Sequence, residues 1–412
     1  MKTIMVLGGS DVQVPLISQV KARGYKTVVV SPSASEPGKR YADIGIEANV
    51  KDKDFILEKA RELRIDGIIT DQTDIAVRTV AYVAENMGLS GIGSETARLF
   101  TDKFLMREKC RECGIRTLKY KKVKSVSEAV EFFRKLSAPM IMKPIDSQGS
   151  RGVVLIESEK DILENFEGSK EYSTAEEVLL EEFVTGREFV VEGVALNYEF
   201  ENLIIGDTYY FDIANVFSAK QRVFPTNADA LLKKKVLDIN KKIITSFGLR
   251  QGITHSEFIM NGDDVILIET AARGGGVFIS SDLISLSTGM CTEDFLINIA
   301  LGEQKQFPEI CADKCACCYL AFYLPVGTVV SADGIKAVQE LDYTHRNNLD
   351  NINWGMQTKV YTDKTSRYFI TVSANDRGEL DNRIETIKGI LDRIKVTTAS
   401  GETRGPIWDS DK

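Results

Sequence analysis

Histidine is almost missing from this sequence: His255 and His345 are the only two among 412 residues. Chemistry that needs several imidazoles, such as a His-rich zinc site or paired histidine acid–base work, is thereby disfavoured. No run of about 18 uninterrupted apolar residues occurs, so no membrane-spanning helix is expected. The opening Met1–Gly9 stretch is short and apolar, with no extended hydrophobic region or cleavage site behind it, and the expected location is the cytoplasm. No long basic block is present. Lys and Arg number 52 against 60 Asp and Glu, a net charge of −8, which argues against a dedicated nucleic-acid binder. Seven cysteines, an odd number in so long a chain, fit a reducing compartment rather than a stapled fold. Two familiar phosphate loops are also lacking. Gly8-Gly9-Ser10 does not have the G-x-G-x-x-G spacing, and the Gly-Lys-Ser/Thr order of a Walker A loop is absent.

What is present suits a globular protein of two or three domains, since 43% hydrophobic and 27% charged residues allow a sizeable core. Strand and helix signals alternate at first. Thr3–Leu7, Lys26–Val30 and Gly67–Thr70 read as strands, and the stretch up to Lys21, Asp54–Leu63 and Ile75–Met87 as helices. This rhythm predicts a small doubly wound parallel sheet over residues 1–95. Helix signals follow at Ser94–Ala97 and Thr101–Cys113, and from Gly114 to about Gly302 the pattern is α+β with one long helix at Ala228–Phe247. Residues 306–412 return to strands at Cys317–Leu324, Gly355–Thr362 and Tyr368–Ser373, then a helix at Gly378–Ile394 and a polar tail from Thr397 expected to be frayed. The pairs Cys110/Cys113 and Cys315/Cys318 lie too far apart in the chain for a zinc ribbon, and Cys311, Cys315 and Cys317 read as buried or half-buried cysteines.

Three segments carry chemistry. In the first, Lys143 leaves an apolar strand and a small-residue loop follows: Ser147, Gln148, Gly149, Ser150, Arg151, Gly152. Such a loop lets backbone N–H groups approach phosphate oxygens, although an ordinary hairpin turn has the same composition. In the second, an apolar strand runs into Glu181, Glu182, Phe183 and Val184, turns at Gly186 and resumes at Glu188. Extended backbone there can pair with an adenine edge and Glu188 with ribose hydroxyls; a plain hairpin with exposed acids is the other reading. In the third, two apolar strands flank Asn261-Gly262-Asp263, each interrupted by a carboxylate, Glu257 and Glu269. Two facing acids repel unless a cation lies between them, and their hard oxygens suit Mg²⁺. Arg273 and three glycines follow.

In this order the segments resemble the ATP-grasp superfamily, in its branch of carboxylate–amine ligases that includes biotin carboxylase, L-amino acid ligase and glycinamide ribonucleotide synthetase. The resemblance implies a fold of a doubly wound pre-ATP-grasp domain (1–95), an ATP-grasp domain (96–305, with a small nucleotide-binding part at about 115–185) and a biotin-carboxylase-like α+β region (306–412). It also implies Lys103 and Lys143 as the two nucleotide lysines, and Ser147, Gly149, Ser150 and Gly152 as the loop over the phosphates. Glu181–Val184 would then be the adenine linker, Glu188 the ribose ligand and Glu257 and Glu269 the Mg²⁺ ligands, with Mn²⁺ as a substitute. Arg273 is similar to the arginine that follows them, and Lys220 and Arg222 fall where a basic residue can face the transferred phosphate or the acceptor. One position departs from the pattern: Ala271 stands where the family often has a further metal-binding Asn, which leaves a second ion in doubt.

The activity implied is ATP-dependent phosphorylation of a carboxylate, then displacement of phosphate by an amine, with ADP released. The partners implied are small-molecule acids and amines, and a homodimer is common in the branch; neither nucleic acid nor membrane is expected. Two other readings share the fold: a purine-pathway enzyme and a biotin-dependent carboxylase component. A catalytically silent nucleotide binder is a further one. No basic cluster beside Gly8–Ser10 supports a phosphoribosyl site there. His255 shares the face of Glu257 if strand alternation holds.

Overall fold

The structure, a computed structural model, describes every residue except 148, 150, 214–215, 312–313, 361–365 and 411–412. Ser150 and Thr362 thus lie outside the described residues.

Four strands, β1 (Thr3–Leu7), β2 (Lys26–Ser31), β3 (Ile44–Glu47) and β4 (Gly67–Ile69), form a parallel sheet in the order β3-β2-β1-β4. All five residues of β1 are buried, as a strand covered on both faces requires. Helices Val14–Ala22 and Lys53–Leu63 lie between the strands and Val77–Met87 follows β4, as the alternation predicts. The edge strand β3 is an addition to the sequence reading; its half-exposed, half-buried pattern is short and gives a weak signal.

A second sheet is antiparallel and small: β5 (Tyr120–Val123), β6 (Met140–Pro144), β7 (Val154–Ile156) and β8 (Val178–Glu182), in the order β5-β8-β6-β7. Two helices cover it, Val126–Leu136 and Glu159–Lys170, each N-capped by a serine side chain, Ser125 and Ser158. Neither helix is in the sequence reading, although a Ser with an acid three positions on marks both starts.

The largest sheet has eight strands. It begins with β9 (Arg187–Leu196), β10 (Glu199–Tyr210), β11 (Ala219–Phe224), β12 (Gly252–Asn261) and β13 (Asp264–Ala271). The chain continues through β14 (Ala316–Phe322), β15 (Gly327–Ala332), β16 (Thr344–Asn347), β17 (Tyr368–Ala374), β18 (Ile394–Thr398) and β19 (Thr403–Arg404). The order is β13-β12-β9-β10-β11-β14-β17-β16, so the sheet runs without a break across position 305, while β15-β18-β19 form a separate three-stranded sheet. The helix Ala230–Ser246 packs on β10, and one core joins Ile4 and Val6 of β1 to Val190, Ile204 and Phe224 of the large sheet through the helix Thr292–Ala300.

Three expectations in the last hundred residues need correction. Gly355–Val360 is no strand; it makes one isolated bridge, Gln357 to Thr328, and irregular hydrogen bonds along β15. The final helix ends at Leu391, not Ile394, because β18 begins there. The polar tail is anchored rather than frayed. Ile407 is 5% exposed and exchanges backbone hydrogen bonds with Tyr323 at 3.1 and 2.8 Å. Trp408 packs on Phe322 with ring centroids 4.8 Å apart, so two apolar residues outweigh a polar neighbourhood. Among the described residues no helix is long and apolar enough to cross a membrane.

Candidate active site

The hairpin β12–β13 places Glu257 directly opposite Glu269, through a register shift between Glu257 and Phe258 that skips Ile268. Their side chains are 20% and 30% exposed, and each is held by a cation from another element. Arg222 on β11 donates to Glu257 Oε1 at 2.5 Å, and His255 Nε2 lies 3.1 Å from the same oxygen. Burial alone would raise the Glu257 carboxyl, yet Arg222 and His255 hold it well below the usual carboxylate range. Glu269 meets Lys103 Nζ at 3.0 Å. That lysine opens the helix Lys103–Glu112, is 8% exposed, and also donates to Ser147 O at 2.6 Å.

Behind Glu257 the charges continue inward. His255 Nδ1 pairs with Glu192 of β9, which is fully buried and accepts the Gly275 amide at 2.9 Å. Burial works against a charged His255, but Glu192 and Glu257 together raise its pKa. Gly275 must be glycine here: a Cβ would stand 2.6 Å from Glu192 Oε1 and 2.9 Å from His255 Nδ1. Ala271, in the position of the missing Asn, lies opposite His255. Arg273 reaches away from the hairpin and grips Asp74, beyond the carboxyl end of β4, with Nε at 3.0 Å and Nη2 at 2.7 Å. Burial raises the Asp74 carboxyl and the guanidinium beside it more than compensates.

On the small sheet, Lys143 of β6 and Arg107 of the helix Lys103–Glu112 share one carboxylate, Glu181 of β8. Burial would raise Glu181; Arg107 and Lys143 bring it down to about 2. Burial lowers the pKa of Lys143, against the pull of Glu181. Glu181 is therefore committed to cations, not open to a base. The amides of Glu182 and Phe183 are also in use, to Lys119 O and Pro139 O at 2.9 Å each. Phe183 and Val184 are half-buried. Glu188 on β9 lies opposite Ile259 of β12 and bonds to Tyr210; burial pushes its carboxyl up to about 7. In the loop after β6, Gly149 and Gly152 have positive φ of 66° and 73°, which glycine adopts without strain. Gly152 O accepts from Ser169 Oγ at 2.8 Å. Lys220, two positions before Arg222 on β11, pairs instead with Asp409 of the tail.

The structure thus brings together Lys103, Ser147, Glu269, Glu257 and Arg222, sets Lys143 and Glu181 on the neighbouring small sheet, and engages Lys220 elsewhere. Three charged residues of this arrangement are missing from the sequence reading: Arg107, Glu192 and Asp74. Arg107 carries a signal, being one helical turn after Lys103 on the same face. Glu192 is a lone acid in the apolar run of β9, and Asp74 belongs to the polar stretch that ends a parallel strand. Among the described residues no group of three or more His, Cys, Asp or Glu is arranged to hold a metal. Glu257 and Glu269 are a pair of facing carboxylates on β12 and β13. Cys110, Cys317 and Cys318 are buried, Cys315 is half-buried, and Cys291 and Cys311 are exposed, the last against expectation.

The sequence-family model described as "ATP-grasp domain" matches residues 136–282, which contain β6 to β13 and most of these charges. Residues 136–282 are thus similar to an ATP-grasp domain. Of solved structures, the L-amino acid ligase from Bacillus licheniformis superposes with a TM-score of 0.79 at 18% identity, covering 97% of this chain and 99% of that one. The likeness is one of fold. Among curated relatives, alanine–anticapsin ligase of Bacillus subtilis (strain 168) is 28% identical over 239 residues, 53% of this chain and 50% of that protein. Formate-dependent phosphoribosylglycinamide formyltransferase of Methanocaldococcus jannaschii is 25% identical over 283 residues, 65% of this chain and 69% of that protein. The chain thus spans about half the length of the first of these relatives. The arginine clamp to Asp74 ties residues 136–282 to the parallel sheet that precedes them.

Proposed function

We propose that this chain is an ADP-forming ligase: ATP phosphorylates a substrate carboxylate, and an amine then displaces phosphate from the acyl phosphate to form a C–N bond. The observation that carries this reading is the in-register pair Glu257–Glu269 with Lys103 bridging it to the Ser147 loop. Joining two anions calls for concentrated positive charge and positioning more than for a strong base, which suits a chain with two histidines.

In this reading Lys103 and Lys143 exchange their present carboxylate partners for phosphate oxygens when nucleotide binds. Val184 and its neighbours take the base, and Glu188 the ribose. Glu257 and Glu269 are hard-oxygen donors on adjacent strands and fit Mg²⁺, or Mn²⁺, whose other positions go to phosphate oxygens and water. Bound there, the ion would neutralise phosphate charge; Ala271 adds no ligand. Arg222 keeps Glu257 ionised and supplies positive charge toward the reacting groups. Arg273, fixed by Asp74, holds the sheet of β1–β4 as one wall of the cleft, the part we assign to the non-nucleotide substrate. The division at residues 95 and 305 is part of the same proposal.

A coupled ADP-release screen over pairs of amino acids and small carboxylic acids tests it, with Glu269→Ala as the blank. Turnover should need both an acid and an amine and vanish in the variant; equal turnover of both proteins contradicts the reading. A purine-pathway activity is the second reading, favoured by the longer alignment with the formate-dependent enzyme. Formate with phosphoribosylglycinamide in the same screen decides between them.

A further inference from the structure

Five cations at the phosphate end of the site each have an acid: Lys103 has Glu269, Lys143 and Arg107 have Glu181, Arg222 has Glu257, and Arg273 has Asp74. The opposite wall of the same cleft differs. The cleft encloses about 530 Å³ and runs from Glu269, Lys103 and Ser147 to Lys51, Lys53 and Arg78. None of these last three is in an ion pair among the described residues. Lys53 Nζ lies over the Tyr82 ring at 4.6 Å, and Arg78 Nε donates to Thr101 Oγ1 at 2.5 Å.

Their place in the fold is telling. Lys51 and Lys53 stand where the chain leaves β3 and enters the helix Lys53–Leu63; Arg78 is in the first turn of the helix Val77–Met87 after β4. Both are at the carboxyl edge of the parallel sheet, where open α/β sheets take ligands. The acids lining the cleft are mostly engaged: Glu269 and Asp74 as above, and Asp146 by the Thr174 amide and hydroxyl. Glu171 also lines the cleft. Three cations facing one cleft repel one another, and an anion relieves that cost.

We propose that Lys51, Lys53 and Arg78 form a subsite for a second anionic group, so that one substrate carries a phosphate or a further carboxylate besides the group that reacts. Which end reacts rests on the ligase reading; the binding itself does not. A cleft of this size accommodates a molecule larger than a simple amino acid, and a guanidinium with two ammonium groups suits an oxyanion with several acceptors.

The test fills the nucleotide site with Mg²⁺ and a non-hydrolysable ATP analogue, then titrates 3-phosphoglycerate, glutarate and butyrate calorimetrically. The two dianionic probes should bind at least about tenfold more tightly than butyrate, and whichever is tighter identifies the anion. In the triple variant Lys51→Gln, Lys53→Gln, Arg78→Gln they should fall to the butyrate level, while affinity for the ATP analogue stays within about twofold. The three residues are exposed, and the single variant Arg78→Lys, which keeps the charge, should retain most of the preference. Equal binding of all three probes to the wild type overturns the subsite. So does a triple variant that loses the ATP analogue along with the probes, since the cations would then belong to the nucleotide. Should the preference hold while no pair of acid and amine releases ADP, the subsite stands and the ligase reading falls.

Discussion

Arg107 and Glu181 meet in a contact closed to water, with Nε 2.5 Å from Oε1 and the two residues 0% and 2% exposed. The same guanidinium donates to Ile268 O on β13 at 2.5 Å, so one residue of the helix Lys103–Glu112 ties the small sheet to the large one. Replacing Arg107 by Met leaves the buried carboxylate with Lys143 alone. Loss of one partner of a buried ion pair costs about 3–5 kcal/mol, and urea unfolding of Arg107→Met should show a loss of that order. A loss below about 1 kcal/mol would mean that the helix holds the two sheets by apolar packing alone.

The pH dependence of that contact has a definite sign. Glu181 titrates at about 2 in the folded chain against an ordinary 4.5. A depressed carboxyl stabilises the fold above its unfolded pKa and ceases to as pH falls through the folded value. The stability gap between wild type and Glu181→Gln should therefore be full at neutral pH, begin to narrow below about 4.5, and close near 2. A gap that does not change between pH 7 and 3 contradicts this assignment.

Gly275 is packed against Glu192 and His255. Gly275→Ala should cost about 1–3 kcal/mol by overpacking and lower ADP release as well, because the Glu192–His255–Glu257 row would shift. Full activity with unchanged stability would show that the segment has room to move.

Removing residues 399–412 tests the anchored tail. Ile407 and Trp408 fill an apolar site beside Tyr323 and Phe322, and truncation should lower stability by at least about 2 kcal/mol. A frayed tail would leave it unchanged.

That tail also shows where sequence reading stops. Its composition is polar, and nothing local reveals that Ile407 has a backbone partner at Tyr323. By contrast, β1, β2, β12, β13 and the helices between β1 and β4 were legible, because their apolar periodicity is set by the sheet they bury. The hairpin carrying Glu257 and Glu269 was legible too, but its turn alone would set Glu257 opposite Ile268; a register shift between Glu257 and Phe258 brings Glu269 there instead. The partners of the site's cations did not: Asp74 reaches Arg273 from 199 positions away and Glu181 reaches Arg107 from 74. Such contacts depend on how separate sheets pack, which short-range pattern does not encode. Glu181 is the instructive case, since the same acid that reads as part of a base-binding linker is used to hold Lys143 and Arg107.

Whether Glu257 and Glu269 grip a metal against nucleotide phosphates is answered most directly by magnetic resonance on Mn²⁺ with ADP. The wild type should bind one Mn²⁺ whose signal carries both ³¹P coupling from the nucleotide and protein carboxylate ligation. Glu257→Gln and Glu269→Gln should each weaken that binding by about tenfold or more. Mn²⁺–ADP that binds both variants as tightly as the wild type, with the same ³¹P coupling, would contradict the central claim.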